Sequence, residues 1–255
     1  MPLNVLVTRP KNQADELCAL IENNGAIPVR FPVLDIISYG SIQEISEKLS
    51  RLDQYQWLFF VSTNAVNFAL SANDGKIDSF KEIRLCAIGK QTATALRNVG
   101  LEVELVPEQN FSSEAVLEMP GLQNLSGQSC LIIRGKGGRE LLKESLEQRG
   151  AKVDYLEVYQ RVMPESNLLP VKKLLSSNQL DVITITSGEA LQNFISMLVG
   201  NEVQIFSILL VVISERIKQL ATKMGFKRVT VAEAPSDAAL VKAIFNGEKS
   251  GRSLR

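Results

Sequence analysis

Val5-Leu6-Val7-Thr8-Arg9-Pro10, leading into the amphipathic stretch Asn12 to Glu22 and stopping at Gly25, reads as a buried strand, a turn and a helix. The same order returns as Leu131-Ile132-Ile133-Arg134-Gly135, then Arg139 to Gln148, then Gly150. Arg9 and Arg134 are 125 positions apart, and so are Gly25 and Gly150. Further landmarks repeat at nearly the same offset. Leu58-Phe59-Phe60-Val61-Ser62-Thr63-Asn64-Ala65 is matched by Val182-Ile183-Thr184-Ile185-Thr186-Ser187-Gly188-Glu189. Leu85-Cys86-Ala87-Ile88-Gly89, before the helix that stops at Gly100, is matched by Leu210-Val211-Val212-Ile213-Ser214, before the helix that stops at Gly225. Phe111-Ser112-Ser113-Glu114-Ala115 is mirrored by Ala234-Pro235-Ser236-Asp237-Ala238, each a hydroxyl cap followed by an acid that suits a helix N-terminus. The four glycines stand where helices end and need no more than a C-cap explanation. Strand-turn-helix units resemble one another pair by pair; it is the common offset that argues for a duplication.

Short apolar runs alternating with amphipathic helices predict an α/β fold of two similar lobes, each a parallel sheet flanked by helices. The length of 255 residues accommodates two modest domains. With 45% hydrophobic and 22% charged residues, the composition is that of a globular protein. Its longest apolar run, Phe206 to Ile213 with Ser207 inside it, is too short to span a bilayer, and Met1 to Val5 enters a strand without a secretory pattern. The expectation is a cytoplasmic protein with no membrane partner. Lysine plus arginine equals aspartate plus glutamate, 28 each, so no basic field invites a nucleic acid. Cys18, Cys86 and Cys130 are odd in number and flanked by apolar residues, and are read as small buried side chains in a reducing compartment. The sequence holds no histidine, which removes the commonest general base and metal ligand and excludes Ser-His-Asp triads. No metal site and no cofactor are expected; Arg134-Gly135-Lys136-Gly137-Gly138-Arg139 is glycine-rich but lacks the spacing of a nucleotide phosphate loop.

In open parallel sheets, ligands collect beyond the carboxyl ends of the strands, where helix N-termini present unpaired amides. Ser62-Thr63-Asn64, Gly89-Lys90-Gln91-Thr92, Thr186-Ser187-Gly188 and Ser214-Glu215-Arg216 all fall at such turns. Hydroxyls and amides there suit carboxylates or phosphates in a cleft between the lobes; alternatively they cap their own helices. Arg9, Arg134, Lys136, Arg139 and Arg216 add bidentate or cationic partners, which favours a multiply anionic small molecule.

Together these segments resemble the uroporphyrinogen-III synthase family over essentially the whole chain. The carriers are Val5 to Pro10 with Gln13-Ala14, Phe60 to Val66, Ala87 to Ala93, Phe111 to Glu114, Ile133 to Glu140, Val158-Tyr159-Gln160-Arg161 and Val212 to Arg216. The resemblance implies a monomer of two lobes joined by a two-stranded hinge, Phe31 to Ile36 and Leu156 to Met163, with residues 1–36 and 163–255 in a discontinuous first lobe and 37–162, including the return hinge strand, in the second. It implies a cofactor-free, cyclising hydro-lyase of porphyrin and haem biosynthesis, in transient contact with the preceding pathway enzyme. The family's reaction removes water from the linear tetrapyrrole hydroxymethylbilane and closes it with inversion of the last pyrrole, giving uroporphyrinogen III. Because the pyrrole nitrogen stabilises the resulting cation, positioning should supply most of the acceleration. Tyr159 is the candidate proton donor to the departing hydroxyl, a substrate carboxyl being the alternative. Lys90, Thr92, Ser62, Thr186 and Ser214 are the candidate anchors for substrate carboxylates. Asn64 stands where certain members have arginine, and Ser214-Glu215-Arg216 replaces a Gly-x-Thr-Thr-like turn; Glu215 is expected to face solvent. Two other readings of the residues are a two-lobed binding protein and a phosphate-handling transferase using Arg134 to Arg139. The polar tail Gly247 to Arg255 is expected to fray.

Overall fold

The computed structural model describes residues 2–109, 111–198 and 202–252. From the N-terminus come β1 (Asn4–Val7), α1 (Asp15–Asn23), β2 (Ile27–Arg30), β3 (Asp35–Ser38) and α2 (Ile42–Leu49). Then follow β4 (Trp57–Phe60), α3 (Thr63–Ala72), α4 (Asp78–Lys81), β5 (Arg84–Ala87), α5 (Lys90–Asn98) and α6 (Ser113–Leu117). The middle continues with β6 (Ser129–Gly135), α7 (Leu141–Gln148), β7 (Lys152–Val162), α8 (Leu169–Ser176), β8 (Val182–Ile185) and α9 (Gly188–Met197). Last are α10 (Glu202–Ile205), β9 (Leu209–Val212), α11 (Glu215–Lys223), β10 (Val229–Val231) and α12 (Asp237–Arg252).

The chain divides into two compact units, Met1–Asp35 with Val162–Arg255, and Ile36–Arg161. The first carries a five-stranded sheet of order β10-β9-β8-β1-β2, parallel in every pair. In the second the order is β3-β7-β6-β4-β5, with β7, β6, β4 and β5 mutually parallel. Strands related by the sequence duplication keep the same neighbours: β2-β1-β8-β9 in one sheet corresponds to β7-β6-β4-β5 in the other. This is the helix-flanked, parallel α/β class that the repeated landmarks predict.

Each sheet is covered on both faces, which explains strands that are apolar at every position, such as Trp57-Leu58-Phe59-Phe60. In the first unit Leu6, Ile183 and Leu210 pack toward α8, α9 and α11, while Val5, Val7, Val182 and Val211 pack toward α1 and α12. In the second, Leu58, Phe60, Leu131 and Ile133 join the cluster of α2, α3 and α5, and Trp57, Phe59, Cys130 and Ile132 join that of α6 and α7. Cys18, Cys86 and Cys130 are free and buried, and burial pushes each thiol above its usual range, Cys130 up to about 12.

Five expected segments differ. Phe31 to Ile36 is not one strand: Phe31, Pro32, Val33 and Leu34 lie between β2 and β3. Pro32 has no amide hydrogen to continue a ladder, yet the Phe31 and Val33 amides still donate to Val7 and Thr8 at the end of β1. The strand read at Leu156 to Met163 begins earlier and is longer, at Lys152–Val162. Helix α1 begins after a 3₁₀ turn at Lys11–Gln13, and α7 begins at Leu141 because Gly137 and Gly138 hold φ of 71° and 107°. The tail does not fray at Gly247: α12 continues to Arg252, and a side chain at Gly247 would lie 2.8 Å from Leu209, so glycine lets the helix lie close on the sheet. The remaining tail residues, Ser253, Leu254 and Arg255, fall outside the described residues.

Candidate active site

In the second unit, β4 ends at Phe60 and, after Val61, Ser62 caps α3, its hydroxyl accepting from the Ala65 amide at 3.1 Å. That hydroxyl also lies 3.0 Å from the Tyr159 hydroxyl. The Tyr159 ring stacks on Phe68 of α3, with centroids 5.8 Å apart and planes 25° apart. Its presence on this face is the work of an irregularity in β7. Tyr155 packs on the α6–α7 side and Leu156 and Val158 on the α3 side, so strict alternation would return Tyr159 to the side of Tyr155. The pairing with β6, however, runs Arg134 to Glu157 and then Gly135 to Tyr159, so β7 carries one extra residue. Such bulges re-aim side chains. Here the bulge turns Tyr159 into the α3 cluster, and the Lys136 amide donates to the Tyr159 carbonyl at 2.7 Å.

Thr63 and Asn64 occupy the first turn of α3 and are half-buried. Gly89 is the N-cap of α5; Lys90 and Gln91 are exposed in its first turn, and Thr92 is buried. The Lys90 ammonium stands 5.6 Å from the centre of the Phe111 ring. In the first unit, Ser187 caps α9 by accepting from Ala190 at 3.0 Å, and Ser214 caps α11 by accepting from Ile217 at 3.4 Å. Thr186 and Gly188 flank the first of these caps, half-buried. Arg216 is exposed in the second helix, as is Glu215, which pairs with Lys218 at 3.5 Å.

The strand-end arginines are engaged by the protein itself. Arg9 pairs with Asp237 at the start of α12, at 2.6 Å, with both side chains mostly covered. The Arg134 side chain is 6% exposed; it donates to the Gly135 carbonyl and to Glu140, both at 3.2 Å, and lies 3.6 Å from Glu157. Its guanidinium also covers the Tyr155 ring at 4.3 Å. A hydrogen bond from Tyr155, with Arg134 beside it, holds the Glu140 carboxyl below the usual carboxylate range, while burial and that same bond raise Tyr155. Lys136 sits over Tyr39 at 4.4 Å, and Arg139 pairs with Glu114. The Glu114 carboxyl is held low first by its own backbone amide and then by Arg139. Beside this pair opens a cavity of about 770 Å³ lined by Glu108, Glu114, Glu118, Ser112 and Arg139, whose three carboxylates make it unsuited to an anion.

The structure thus brings Ser62, Tyr159 and the first turn of α3 together, and places Thr186 to Gly188 and Ser214 to Arg216 at successive strand ends of the other sheet. Arg9, Arg134 and Arg139 it gives to acids. Sequence reasoning missed Phe68, Tyr155, Glu157 and Asp237 as partners; Asp237 was visible only as a helix-start acid, and β7 offered no local mark of its bulge. No helix among the described residues is long and apolar enough to cross a membrane.

A family model, described as uroporphyrinogen-III synthase HemD, matches residues 15–242. This chain belongs to the uroporphyrinogen-III synthase family. Members are cyclising lyases of tetrapyrrole biosynthesis, with a tetrapyrrole as substrate. The uroporphyrinogen-III synthase of Escherichia coli is 32% identical over 247 residues, covering 95% of this chain and 100% of the relative. That of Salmonella typhimurium matches with the same identity and coverage. Among solved structures, a mutant uroporphyrinogen III synthase from Thermus thermophilus has a TM-score of 0.64 at 16% identity, covering 97% of this chain and 99% of the other. Uroporphyrinogen-III synthetase from Helicobacter pylori has a TM-score of 0.59 at 17% identity, with 100% of each chain covered. The two structures share the fold.

Proposed function

We propose that this uroporphyrinogen-III synthase family member dehydrates hydroxymethylbilane and closes it with inversion of the terminal pyrrole, giving uroporphyrinogen III. The observation that carries the proposal is the relation to uroporphyrinogen-III synthases over nearly the whole length, joined to a phenol and a serine hydroxyl held together at a strand end. Tyr159 gives its proton to the departing hydroxyl; the carbon–oxygen bond breaks with its electrons on oxygen, and the pyrrole nitrogen supplies electrons to the carbon. The substrate's many carboxylates meet first-turn amides and hydroxyls at Thr63 and Asn64, at Gly89, Lys90, Gln91 and Thr92, at Thr186, Ser187 and Gly188, and at Ser214, while the Ser62 hydroxyl is engaged by Tyr159 and the Ala65 amide. Lys90, Lys136 and Arg216, all exposed, add cations. Arg9, Arg134 and Arg139, paired within the protein, serve the frame of these turns more directly than the substrate. Holding one folded conformation of a flexible poly-acid is the main catalytic task.

The proposal includes a cytoplasmic monomer that takes its unstable substrate by transient contact with the preceding enzyme; sedimentation of the protein with and without that enzyme tests this. Incubation of purified protein with freshly made hydroxymethylbilane, followed by separation of product isomers, tests the activity. Isomer III is expected, and isomer I alone would overturn the assignment. Tyr159→Phe should lower kcat by about 100-fold while leaving product affinity nearly intact; an unchanged rate removes Tyr159 as proton donor.

A further inference from the structure

We propose that Gly135 and Ser62 are positioning residues for the dehydration step, Gly135 by leaving the space that the Tyr159 ring fills and Ser62 by fixing the Tyr159 hydroxyl to the N-terminus of α3. This rests on the reading of Tyr159 as proton donor. Gly135 pairs with Tyr159 across the β-bulge. A side chain there would put its first carbon 2.6 Å from Cε2 and Cζ of the ring and 3.0 Å from its oxygen. The other side of the ring is closed by Phe68. The glycine is not required for its backbone conformation: Gly137 and Gly138 have positive φ, and Gly135 does not. What it supplies is room, at the one residue opposite the tyrosine.

Ser62 completes the seat. Its oxygen accepts from the Ala65 amide, which leaves a second lone pair and one proton for the Tyr159 hydroxyl. When Ser62 donates, the tyrosine proton is free to go to the leaving oxygen. The phenolate that remains accepts from Ser62, whose oxygen is tied to the positive end of α3. The step balances: the tyrosine proton leaves with the hydroxyl as water, the pyrrole nitrogen supplies the electrons lost by carbon, and the phenolate regains a proton from the pyrrole carbon that closes the ring. A hydroxyl at position 62 therefore matters when charge develops on the phenol, not when substrate binds.

Two measurements test this. In kinetics, Ser62→Ala and Gly135→Ala should each lower kcat about tenfold with KM changed less than about twofold, and Ser62→Thr, which keeps cap and hydroxyl, should restore most of the loss. In the Tyr159→Phe background neither change should lower kcat further. In thermal melting, which reads the seat without activity, Gly135→Ala should lower Tm by about 5 °C in the parent protein and by much less with Tyr159→Ala, where no ring is left to displace. Equal Tm losses in both backgrounds would overturn the role of Gly135, and equal kcat losses for Ser62→Ala and Ser62→Thr would overturn that of Ser62. Full turnover by Tyr159→Phe would overturn the chemical half alone, since the melting cycle decides the seat separately.

Discussion

Replacing Arg134 by methionine separates a framework role from contact with substrate. The side chain is 6% exposed, and its guanidinium is spent on the Gly135 carbonyl, Glu140, Glu157 and the Tyr155 ring. Methionine keeps much of the aliphatic packing and loses the polar contacts. A charged hydrogen bond to the Gly135 carbonyl contributes about 1.5 kcal/mol, and the stack on Tyr155 about 0.5–1 kcal/mol. Glu157, whose side chain is 29% exposed and also accepts from the Gly137 amide, loses its counter-charge. Glu140, at 52%, can rehydrate and is assigned nothing. Part of the loss is offset because a cation no longer needs desolvation, leaving about 2 kcal/mol net. For a chain of this size that corresponds to a fall in Tm of about 4–8 °C. Melting by circular dichroism and steady-state kinetics with hydroxymethylbilane should show that fall with KM within about twofold of the parent. An unchanged Tm together with a KM raised about tenfold or more would refute the reasoning and make Arg134 a substrate contact.

The duplicated C-cap glycines should differ in cost. Gly25 has φ of 78° and open space around its missing side chain, so Gly25→Ala should cost about 1 kcal/mol. Gly150 has φ of 91° and would meet Ser126 at 2.8 Å and its backbone at 3.0 Å, so Gly150→Ala should cost about 3 kcal/mol; equal losses in denaturant melts would contradict this. Ser187→Ala and Ser214→Ala each remove an N-cap and should cost about 1 kcal/mol, with KM rising as well if the same hydroxyls meet substrate. A hydrogen bond from Arg84 holds Glu104 below the usual carboxylate range. A depressed folded value stabilises above the unfolded value near about pH 4.3 and is lost as pH falls through the folded one. The stability gap between the parent and Arg84→Gln should therefore be full at neutral pH and shrink in acid; a gap that stays constant into acid would count against the pairing.

Much of the fold was legible because its signals are local. Gly25, Gly100, Gly150 and Gly225 all adopt positive φ, and Ser62, Ser112, Ser187, Ser214 and Ser236 all accept from an amide three residues on. The segment Phe31 to Ile36 was less legible, since Pro32 breaks a run whose side chains still look strand-like. Of the site, the hydroxyl turns could be read, but the partners of the arginines could not: Asp237 meets Arg9 from the far end of the chain.

By itself the sequence determined the strand-turn-helix units, their duplication and the family, because apolar period, capping chemistry and glycine backbone freedom act within a few residues. Tertiary structure alone decided which groups at the strand ends are free. Arg9, Arg134 and Arg139 are neutralised by acids brought from other segments, and one extra residue in β7 swings Tyr159 across the sheet to Ser62, 97 positions away. Charge pairing and side-chain direction depend on which surfaces pack together, and no local pattern encodes that.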